Sequence, residues 1–370
     1  MKIGIDVRHL SGGFGTGGAR VLENCLRAFS EHDAETRFVP YNRFESKFWV
    51  STKAGQALAP VLADAVNKNI VLPLWSRFRK LDALFYVLPP ISFTQRRVPQ
   101  ICYILDVPLE TEERFLAAMI YNDIYIKQSC LKADLLLTIS QDAADQIVRR
   151  YQVPPEKIQV AYLCADLDYI KRVSVCPPLP GRDGFFLGII SRIYWRKNPG
   201  AYLEIFRLLP KELRARYPLV LLGAVKSLDD LRQYASAETI EEVRDDVICL
   251  GRVSDDALIG YIKGAKALLF PSNYEGFGLP ILEAVACGTP AIASDIPVFK
   301  ELFSDVASLY APDDYQGMAA MLEQVIKGNA PRLSEEKAQE WLNRFSFETY
   351  ARRVKRLIEA LWMTSFTTAQ

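Results

Sequence analysis

The chain has 370 residues, of which 50% are apolar, and a net charge of +1 at neutral pH. This length exceeds what one hydrophobic core serves, so we expect two domains of ordinary size. The near-zero net charge excludes a chain that binds nucleic acid over its whole surface, and it excludes an acidic, solvating protein.

The seven cysteines are scattered and contain no Cys-x-x-Cys pair. Most of them lie in apolar runs, which is typical of small core residues in a reducing compartment. The first predicted strand follows Met1 directly, and no uninterrupted apolar run approaches the length of a membrane span. We therefore expect a cytoplasmic protein that is soluble or at most peripheral at the inner membrane.

Short apolar strands alternate with helical segments in both halves of the chain. The strands predicted in the first half are residues 2–7, 37–41, 83–87, 100–105, 135–139 and 158–161. Those predicted in the second half are 185–191, 219–222, 247–249, 267–270, 291–294 and 308–310. This alternation indicates two Rossmann-like domains, each with a parallel sheet covered by helices.

The predicted domain limits follow from composition. Pro and Gly accumulate at 175–184, and we place a linker at 173–184 between an N-terminal domain, 1–172, and a C-terminal domain, 185–345. Apolar residues at helical spacing predict one long amphipathic helix over 341–362. Residues 363–370 are expected to be disordered.

A glycine-rich stretch, Gly13-Phe-Gly-Thr-Gly-Gly18, follows the first strand and matches G-x-G-x-x-G. In the nicotinamide-binding fingerprint the glycines begin where the strand ends, and an acid follows the second strand. Here residues 8–12 intervene and the second strand ends in Tyr41-Asn42, so we do not favour a dehydrogenase. We expect a mobile loop over 12–18 that closes on a diphosphate.

The second domain opens with a strand that ends in a basic loop, Arg192-Ile-Tyr-Trp-Arg-Lys197. Cations at the carboxyl end of a parallel strand face the crevice where ligands bind. Arg192 suits two phosphate oxygens and Lys197 adds a point charge. The spacing leaves open whether Arg196 or Lys197 points inward.

Two carboxylates, Glu275 and Glu283, bracket the junction of a loop and a helix that follows the strand at 267–270. The glycines at 276 and 278 allow the backbone to approach a ligand, Pro280 suits a first helical turn, and Gly288 ends the helix. The helix N-terminus suits an anion such as a phosphate, with Glu283 expected on its first turn. The two acids fit hydroxyl groups beside the phosphates of a sugar nucleotide.

The string from Pro271 to Pro290, with its Glu-x7-Glu pattern, resembles family 4 of the retaining glycosyltransferases. The resemblance implies an α/β protein of the GT-B fold, in which two Rossmann-like domains face across a cleft. It also implies that a C-terminal helix, about 346–370, returns to the N-terminal acceptor domain. The chain is similar in particular to bacterial mannosyltransferase-like enzymes of surface polysaccharide synthesis.

The same resemblance assigns roles to residues. It implies that Glu275 holds the transferred sugar, that Glu283 holds the ribose, and that the backbone of 277–279 contacts the sugar–phosphate linkage. The donor site it predicts consists of Gly17, Gly18, Arg192, Lys197, Arg252, Val253, Glu275, Gly276, Phe277, Gly278, Leu279 and Glu283. No cofactor and no metal are expected, since the Asp166-Leu-Asp168 pair lies outside any ligand cluster.

The acceptor side departs from the family. Many relatives carry His-Asp where this chain has Leu105-Asp106, and the family position faces the reacting sugar. Asp106 is a candidate catalytic or acceptor-binding carboxylate, or it caps the following turn. His9 lines the cleft or stays at the surface, and Ser140 donates to a phosphate or caps a helix.

The expected function is transfer of a hexose from a nucleoside diphosphate sugar, with GDP-mannose favoured, to a glycan or lipid-linked glycan hydroxyl. The alternatives are a GT-B sugar-nucleotide epimerase and a catalytically silent nucleotide-sugar-binding subunit. Cations and aromatics interleave at 43–49 and 75–80. That pattern fits peripheral contact with an anionic membrane or an ordinary packed helix with solvated charges. The oligomeric state and the acceptor stay open, and no nucleic-acid partner is expected.

Overall fold

The computed structural model describes residues 1–7, 17–33, 35–41, 66–87, 89, 91–95, 97–105, 116–177, 179–331 and 334–367. The chain forms two compact units. The first unit consists of Met1–Cys164 and Phe347–Gln370, and the second unit consists of Ala165–Ser346. The division thus falls before residue 165 rather than after 172, and the segment expected to be a linker, 173–184, lies within the second unit.

The first unit contains a sheet of six parallel strands in the order β2-β1-β3-β4-β5-β6. Its strands are β1 (Lys2–Asp6), β2 (Arg37–Tyr41), β3 (Ala83–Val87), β4 (Gln100–Ile104), β5 (Leu135–Thr138) and β6 (Ile158–Val160). Its helices before the C-terminal segment are α1 (Gly17–His32), α2 (Leu72–Arg79), α3 (Leu116–Lys132) and α4 (Gln141–Tyr151). A π-helical turn, Asn67–Val71, leads into α2.

The second unit contains another six-stranded parallel sheet, in the order β12-β11-β10-β7-β8-β9. Its strands are β7 (Phe186–Ile190), β8 (Leu219–Gly223), β9 (Val247–Gly251), β10 (Ala267–Phe270), β11 (Ala291–Ser294) and β12 (Ser308–Tyr310). Its helices are α5 (Leu167–Arg172), α6 (Pro199–Arg207), α7 (Lys211–Arg216), α8 (Ala237–Val243), α9 (Asp255–Gly264), α10 (Leu279–Ala286), α11 (Pro297–Phe303), α12 (Tyr315–Ile326) and α13 (Glu335–Asn343).

All the predicted strands are present, and their ends fall within about two residues of the prediction. Buried parallel strands read as continuous apolar runs bounded by turn residues, which makes them the most predictable elements here. Within the described segments, no helix is both long enough and apolar enough to span a membrane.

The strand order of the second unit reverses between β7 and β10, because successive strands add to one side of β7 and then to the other. In open parallel sheets, ligands bind outside the carboxyl ends of the strands at such a reversal. The loops that follow β7 and β10 are therefore the first place to look for a site in this unit.

The C-terminal helix α14 (Phe347–Thr367) belongs to the first unit, where it packs along α1. Its apolar side, including Tyr350, Val354 and Ile358, is buried. The prediction of one helix over 341–362 is wrong in its start, because residues 344–346 interrupt it and separate α13 from α14. The expectation of disorder from 363 onward is wrong for 363–367, which continue the helix.

An ion-pair cluster ties α14 to the end of α1. Lys355 Nζ donates to Asp33 Oδ1 at 3.0 Å and to Glu35 Oε2 at 2.8 Å. The bond from Lys355 lowers the pKa of Glu35, and its two carboxylate partners raise the pKa of Lys355. Burial raises the pKa of Asp33, but the contacts with Thr36, Lys355 and the Glu35 N–H outweigh it, so the pKa of Asp33 is also lowered.

We expect Lys355→Met to reduce thermal stability at neutral pH, and we expect the difference from wild type to shrink on acidification. Because the pKa values of Asp33 and Glu35 are lowered in the folded state, the two carboxylates stabilise the fold at pH values above their ordinary pKa values of 3.8 and 4.5. This stabilisation is lost as the pH falls through the lower folded-state pKa values. The stabilisation that corresponds to the raised pKa of Lys355 is present below its ordinary value of 10.5 and is lost only as pH rises above that value. Melting temperatures from about pH 7 to about pH 3 measure this, with the exposed Arg356→Met on the same helix as the control. A difference independent of pH would contradict the assignment.

Candidate functional site

A buried ion pair lies where the strand order of the second unit reverses. Lys197 ends a 3₁₀ turn that follows β7, and Glu275 lies in the loop that follows β10. Lys197 Nζ is 2.5 Å from Glu275 Oε1, and the two side chains are only 13% and 10% exposed. The two loops thus meet at the edge of the sheet where the topology predicts a ligand.

The carboxylate of Glu275 is held on one oxygen. Ser272 Oγ donates to Oε1 at 3.0 Å, the same oxygen that accepts from Lys197. Oε2 receives no hydrogen bond from any residue that the structure describes. Tyr202 lies near Glu275, and its hydroxyl donates to the Ile189 carbonyl oxygen. Burial and the nearby charge of Glu275 raise the pKa of Tyr202 well above its ordinary value.

Arg196 holds the two loops together. Its side chain is buried, with the guanidinium carbon 4.4 Å from the ring centroid of Tyr274. Its backbone oxygen accepts the N–H groups of Asn273 at 2.9 Å and Tyr274 at 3.2 Å. Arg196 therefore packs inward against the loop after β10, while its neighbour Lys197 reaches Glu275, and this answers the question that spacing left open.

Helix α10 begins as the glycine pattern predicts. Gly278 has φ of +109°, and a Cβ there would come within 2.7 Å of the Phe299 ring. Phe277 is buried with its ring edge-on to Phe303 and Phe345. Gly276 and Leu279 are half-buried. Pro280 has no N–H and the Ile281 N–H donates to the Gly278 carbonyl oxygen at 2.9 Å, which leaves the Leu279 amide as a donor at this helix start.

Two details of α10 were predicted with different success. The helix ends before Gly288, whose φ of +70° confirms the predicted stop. The first turn carries no acidic residue, so the expectation that Glu283 lies there is wrong, and Glu283 lies on the second turn. Its side chain is buried, at 3% exposure. The helix begins at Leu279, one residue before Pro280, so Glu283 is its fifth residue and falls just beyond the first turn.

The other residues predicted to bind the donor surround this edge of the sheet. Arg192 is exposed just after β7, and Arg252 and Val253 follow β9. The Gly251 N–H donates to the Val225 carbonyl oxygen at 3.1 Å. This bond brings the loops after β8 and β9 together.

Part of the prediction falls in the first unit. His9, Asp106 and the glycine-rich residues 12–16 lie outside the described residues. Gly17 and Gly18 open helix α1, and Leu105 is half-buried directly after β4. Leu105 therefore lies at the carboxyl edge of the first sheet.

Ser140 takes the structural role that was weighed for it, and Asp166 also caps a helix. Ser140 Oγ accepts the Ala143 N–H at 3.1 Å and caps α4, so the phosphate-donor reading of Ser140 has no support. Asp166 Oδ1 accepts the Tyr169 N–H at 2.8 Å and caps α5. Across the described ranges, no cluster of three or more His, Cys, Asp or Glu side chains could hold a metal. Independence from metal stays a prediction.

Sequence reasoning missed two contacts. It did not find the stacking of Arg196 on Tyr274, since neither the periodicity nor the spacing of the two loops links them. It also missed Ser272 as the partner of Glu275. A serine three positions before a carboxylate in a tight loop is a local signal that could have indicated it.

The region that matches a known family lies within the second unit. Residues 179–343 match the model of the family described as Glycosyl transferases group 1. O-antigen chain mannosyltransferase B of Escherichia coli is 33% identical over 219 residues, 57% of this chain and 56% of that protein. The serotype-specific mannosyltransferase WbdA of Escherichia coli is 28% identical over 287 residues, 75% of this chain and 35% of that protein. The chain thus spans about half or less of the length of these relatives.

The fold matches a solved structure over nearly its whole length. The sucrose-phosphate synthase from Thermosynechococcus elongatus superposes with a TM-score of 0.73 at 15% identity, covering 98% of this chain and 100% of that chain. An identity this low shows the fold alone. The GT-B fold and the resemblance predicted from the sequence are confirmed.

We expect Arg196→Met to lower the free energy of unfolding by about 2 kcal/mol, because it removes a desolvated cation from an aromatic face. Arg192→Met, in the same loop, is the control, and its exposed side chain predicts a change within about 0.5 kcal/mol. Denaturant unfolding measures both. Hydrogen exchange at the Asn273 and Tyr274 amides should accelerate only in the Arg196 variant, and equal exchange in both variants would refute the role of Arg196.

Proposed function

We propose that this chain, whose residues 179–343 match the model of the Glycosyl transferases group 1 family, transfers a hexose from a nucleoside diphosphate sugar with retention of anomeric configuration. The acceptor is a hydroxyl of a glycan or lipid-linked glycan in polysaccharide synthesis. The observation that carries this proposal is the buried Lys197–Glu275 pair at the reversal of strand order, beside the start of α10.

Lys197 supplies positive charge to the leaving diphosphate. An ammonium group has three donors, and Glu275 takes one of them, which leaves two for phosphate oxygens. Arg192 is exposed after the same strand and adds a planar fork that fits two phosphate oxygens. Negative charge develops on the phosphate oxygen as the bond to the sugar breaks. Fixed cations that stabilise this charge lower the barrier.

Glu275 and Glu283 position the donor rather than act as an acid and a base. Oε1 of Glu275 already accepts two hydrogen bonds, so Oε2 is the atom offered to a hydroxyl of the transferred sugar. Glu283 is assigned to the ribose hydroxyls, and the Leu279 amide to the sugar–phosphate linkage. Carboxylates accept hydroxyl protons without repelling a phosphate that faces the cations.

The transfer needs no nucleophile from the protein, and each bond that breaks is matched by one that forms. The bond between the anomeric carbon and the phosphate oxygen breaks, and its electron pair stays on that oxygen. The acceptor oxygen bonds to the same face of the anomeric carbon, and its proton passes to the leaving phosphate oxygen. No side chain is assigned as a general base, and Asp106 remains a candidate for holding the acceptor hydroxyl.

The donor and the setting are inferred from the relatives. Those quoted above are named mannosyltransferases, which supports GDP-mannose as the donor, and their O-antigen and serotype names support a surface polysaccharide as the product. We propose a cytoplasmic enzyme that needs no metal, because Lys197 and Arg192 supply the charge that a metal otherwise brings. A sugar-nucleotide epimerase would convert the donor without an acceptor, and a silent binding subunit would bind the donor without turnover.

We expect Lys197→Ala and Glu275→Gln each to reduce transfer by about 100- to 1000-fold, since each removes a group that acts on the reacting linkage. Lys197→Ala also leaves a buried carboxylate unpaired, which destabilises the fold. The double variant Lys197→Ala/Glu275→Gln restores charge neutrality and separates the two effects. Transfer and donor hydrolysis are measured together with melting temperature. Near-wild-type transfer in any of these variants would reject the proposed site.

We expect GDP-mannose to raise the melting temperature more than UDP- or ADP-sugars do. A ligand at about a hundred times its dissociation constant stabilises the native state by about 2.7 kcal/mol. Glu283→Gln should remove most of the shift while leaving the unliganded melting temperature nearly unchanged, because Gln keeps the size of the side chain. A shift from another nucleotide sugar would change the donor assignment, and no shift from any would reject the donor site.

A further inference from the structure

Four apolar side chains lie exposed along one side of the helical segment that precedes β3. Val66, Ile70, Leu74 and Phe78 are 50%, 56%, 55% and 84% exposed. They recur at every fourth position through the π turn and α2. Residues four apart drift around an α-helix because a turn takes 3.6 residues, and the wider π turn reverses part of that drift. The four side chains therefore form one continuous stripe.

The opposite side of this segment is anchored to the first unit. Leu72 and Ser76 are 2% and 1% exposed. The Trp75 ring packs against Tyr41 with centroids 5.1 Å apart. Because the inner side is filled by these contacts, the helix cannot turn its exposed stripe inward without losing them.

Hydrogen bonds from a neighbouring loop add to this anchoring. Gln95 Nε2 donates to Ser76 Oγ at 2.7 Å, and the Phe93 N–H donates to Asn69 Oδ1 at 2.7 Å. Lys68 is buried, with its ammonium nitrogen 5.9 Å from the Tyr86 ring centroid. The stripe is thus presented outward by a fixed helix.

Cations flank the stripe at its C-terminal end. Arg77, Arg79 and Lys80 are exposed, and residues 66–80 contain no Asp or Glu. We call the stripe and these three cations the basic–apolar face; it consists of Val66, Ile70, Leu74, Arg77, Phe78, Arg79 and Lys80. A large apolar stripe beside like charges is unusual for a surface that meets only water.

We propose that the basic–apolar face docks on an anionic lipid bilayer. The stripe enters the boundary between headgroups and acyl chains, and the three cations bind headgroup phosphates. Charge complementarity favours this occupant, since the face offers cations and apolar groups but no carboxylate for a basic partner. The docking does not depend on the proposed transferase activity, and it can be measured without nucleotide or acceptor.

Flotation of the full chain with vesicles tests the proposal. We expect binding to phosphatidylcholine vesicles that contain phosphatidylglycerol, with at least tenfold weaker binding to phosphatidylcholine alone. Raising the salt concentration should weaken binding, because salt shortens the Debye length over which the anionic headgroups attract the cations of the protein. Absence of binding to the anionic vesicles at low salt would overturn the proposal.

Variants locate the contact. The double variant Leu74→Ser/Phe78→Ser should lower partitioning onto the vesicles by at least tenfold. The control variant is Leu208→Ser/Leu250→Ser, whose side chains belong to the second unit and are 40% and 38% exposed. We expect the control to leave partitioning unchanged. All four side chains are exposed, so melting temperatures should stay near wild type. Equal partitioning of the two double variants would overturn the proposal.

Charge variants test the electrostatic part. Replacing Arg77, Arg79 and Lys80 by Gln should lower partitioning about fivefold for each charge removed. The control replaces Arg216, Arg232 and Arg244, which are exposed elsewhere, by Gln. It lowers the net charge equally and should leave partitioning within about twofold of wild type. Equal losses in both triple variants would show an attraction set by net charge alone and would overturn the proposal.

Discussion

The ion pair between Lys197 and Glu275 is the contact on which the second unit's site depends. Its members come from loops far apart in the chain, and they meet only because β7 and β10 are neighbours in the sheet. Breaking a buried pair by removing one partner costs about 3–5 kcal/mol, because an uncompensated charge remains. The stacking of Arg196 on Tyr274 and the bond from Ser272 to Glu275 hold the same two loops and so keep the pair in register.

Stability alone does not account for this pair. Replacing a buried ion pair by apolar groups of similar size is often neutral or stabilising. The pair makes physical sense if its unused capacity serves a ligand. Lys197 retains donors and Glu275 retains Oε2, both at the edge where parallel sheets bind ligands. Because each group is already desolvated and oriented by the other, a donor would meet a site that needs little reorganisation.

The strands and the helix start at Gly278 could be predicted from the sequence because they depend on local patterns. Apolar runs bounded by turn residues indicate parallel strands, and Gly and Pro encode the φ angles that the start of α10 requires. The break at 344–346 was missed because apolar residues continue at helical spacing on both sides of it. The inward direction of Arg196 was also beyond prediction, since it depends on Tyr274, which only the tertiary fold brings near.

Residues 75–80 show why composition leaves the role of a helix undecided. Trp75 and Phe78 lie within one turn of each other, yet Trp75 packs against Tyr41 and Phe78 is 84% exposed. A pattern of cations and aromatics is the same whether its rings point inward or outward. The anchoring of Ser76 by Gln95 settles the orientation, because it fixes which side faces the sheet. With that side fixed, Phe78 and its flanking cations must face outward, and burial rather than composition distinguishes a docking surface from a packed helix.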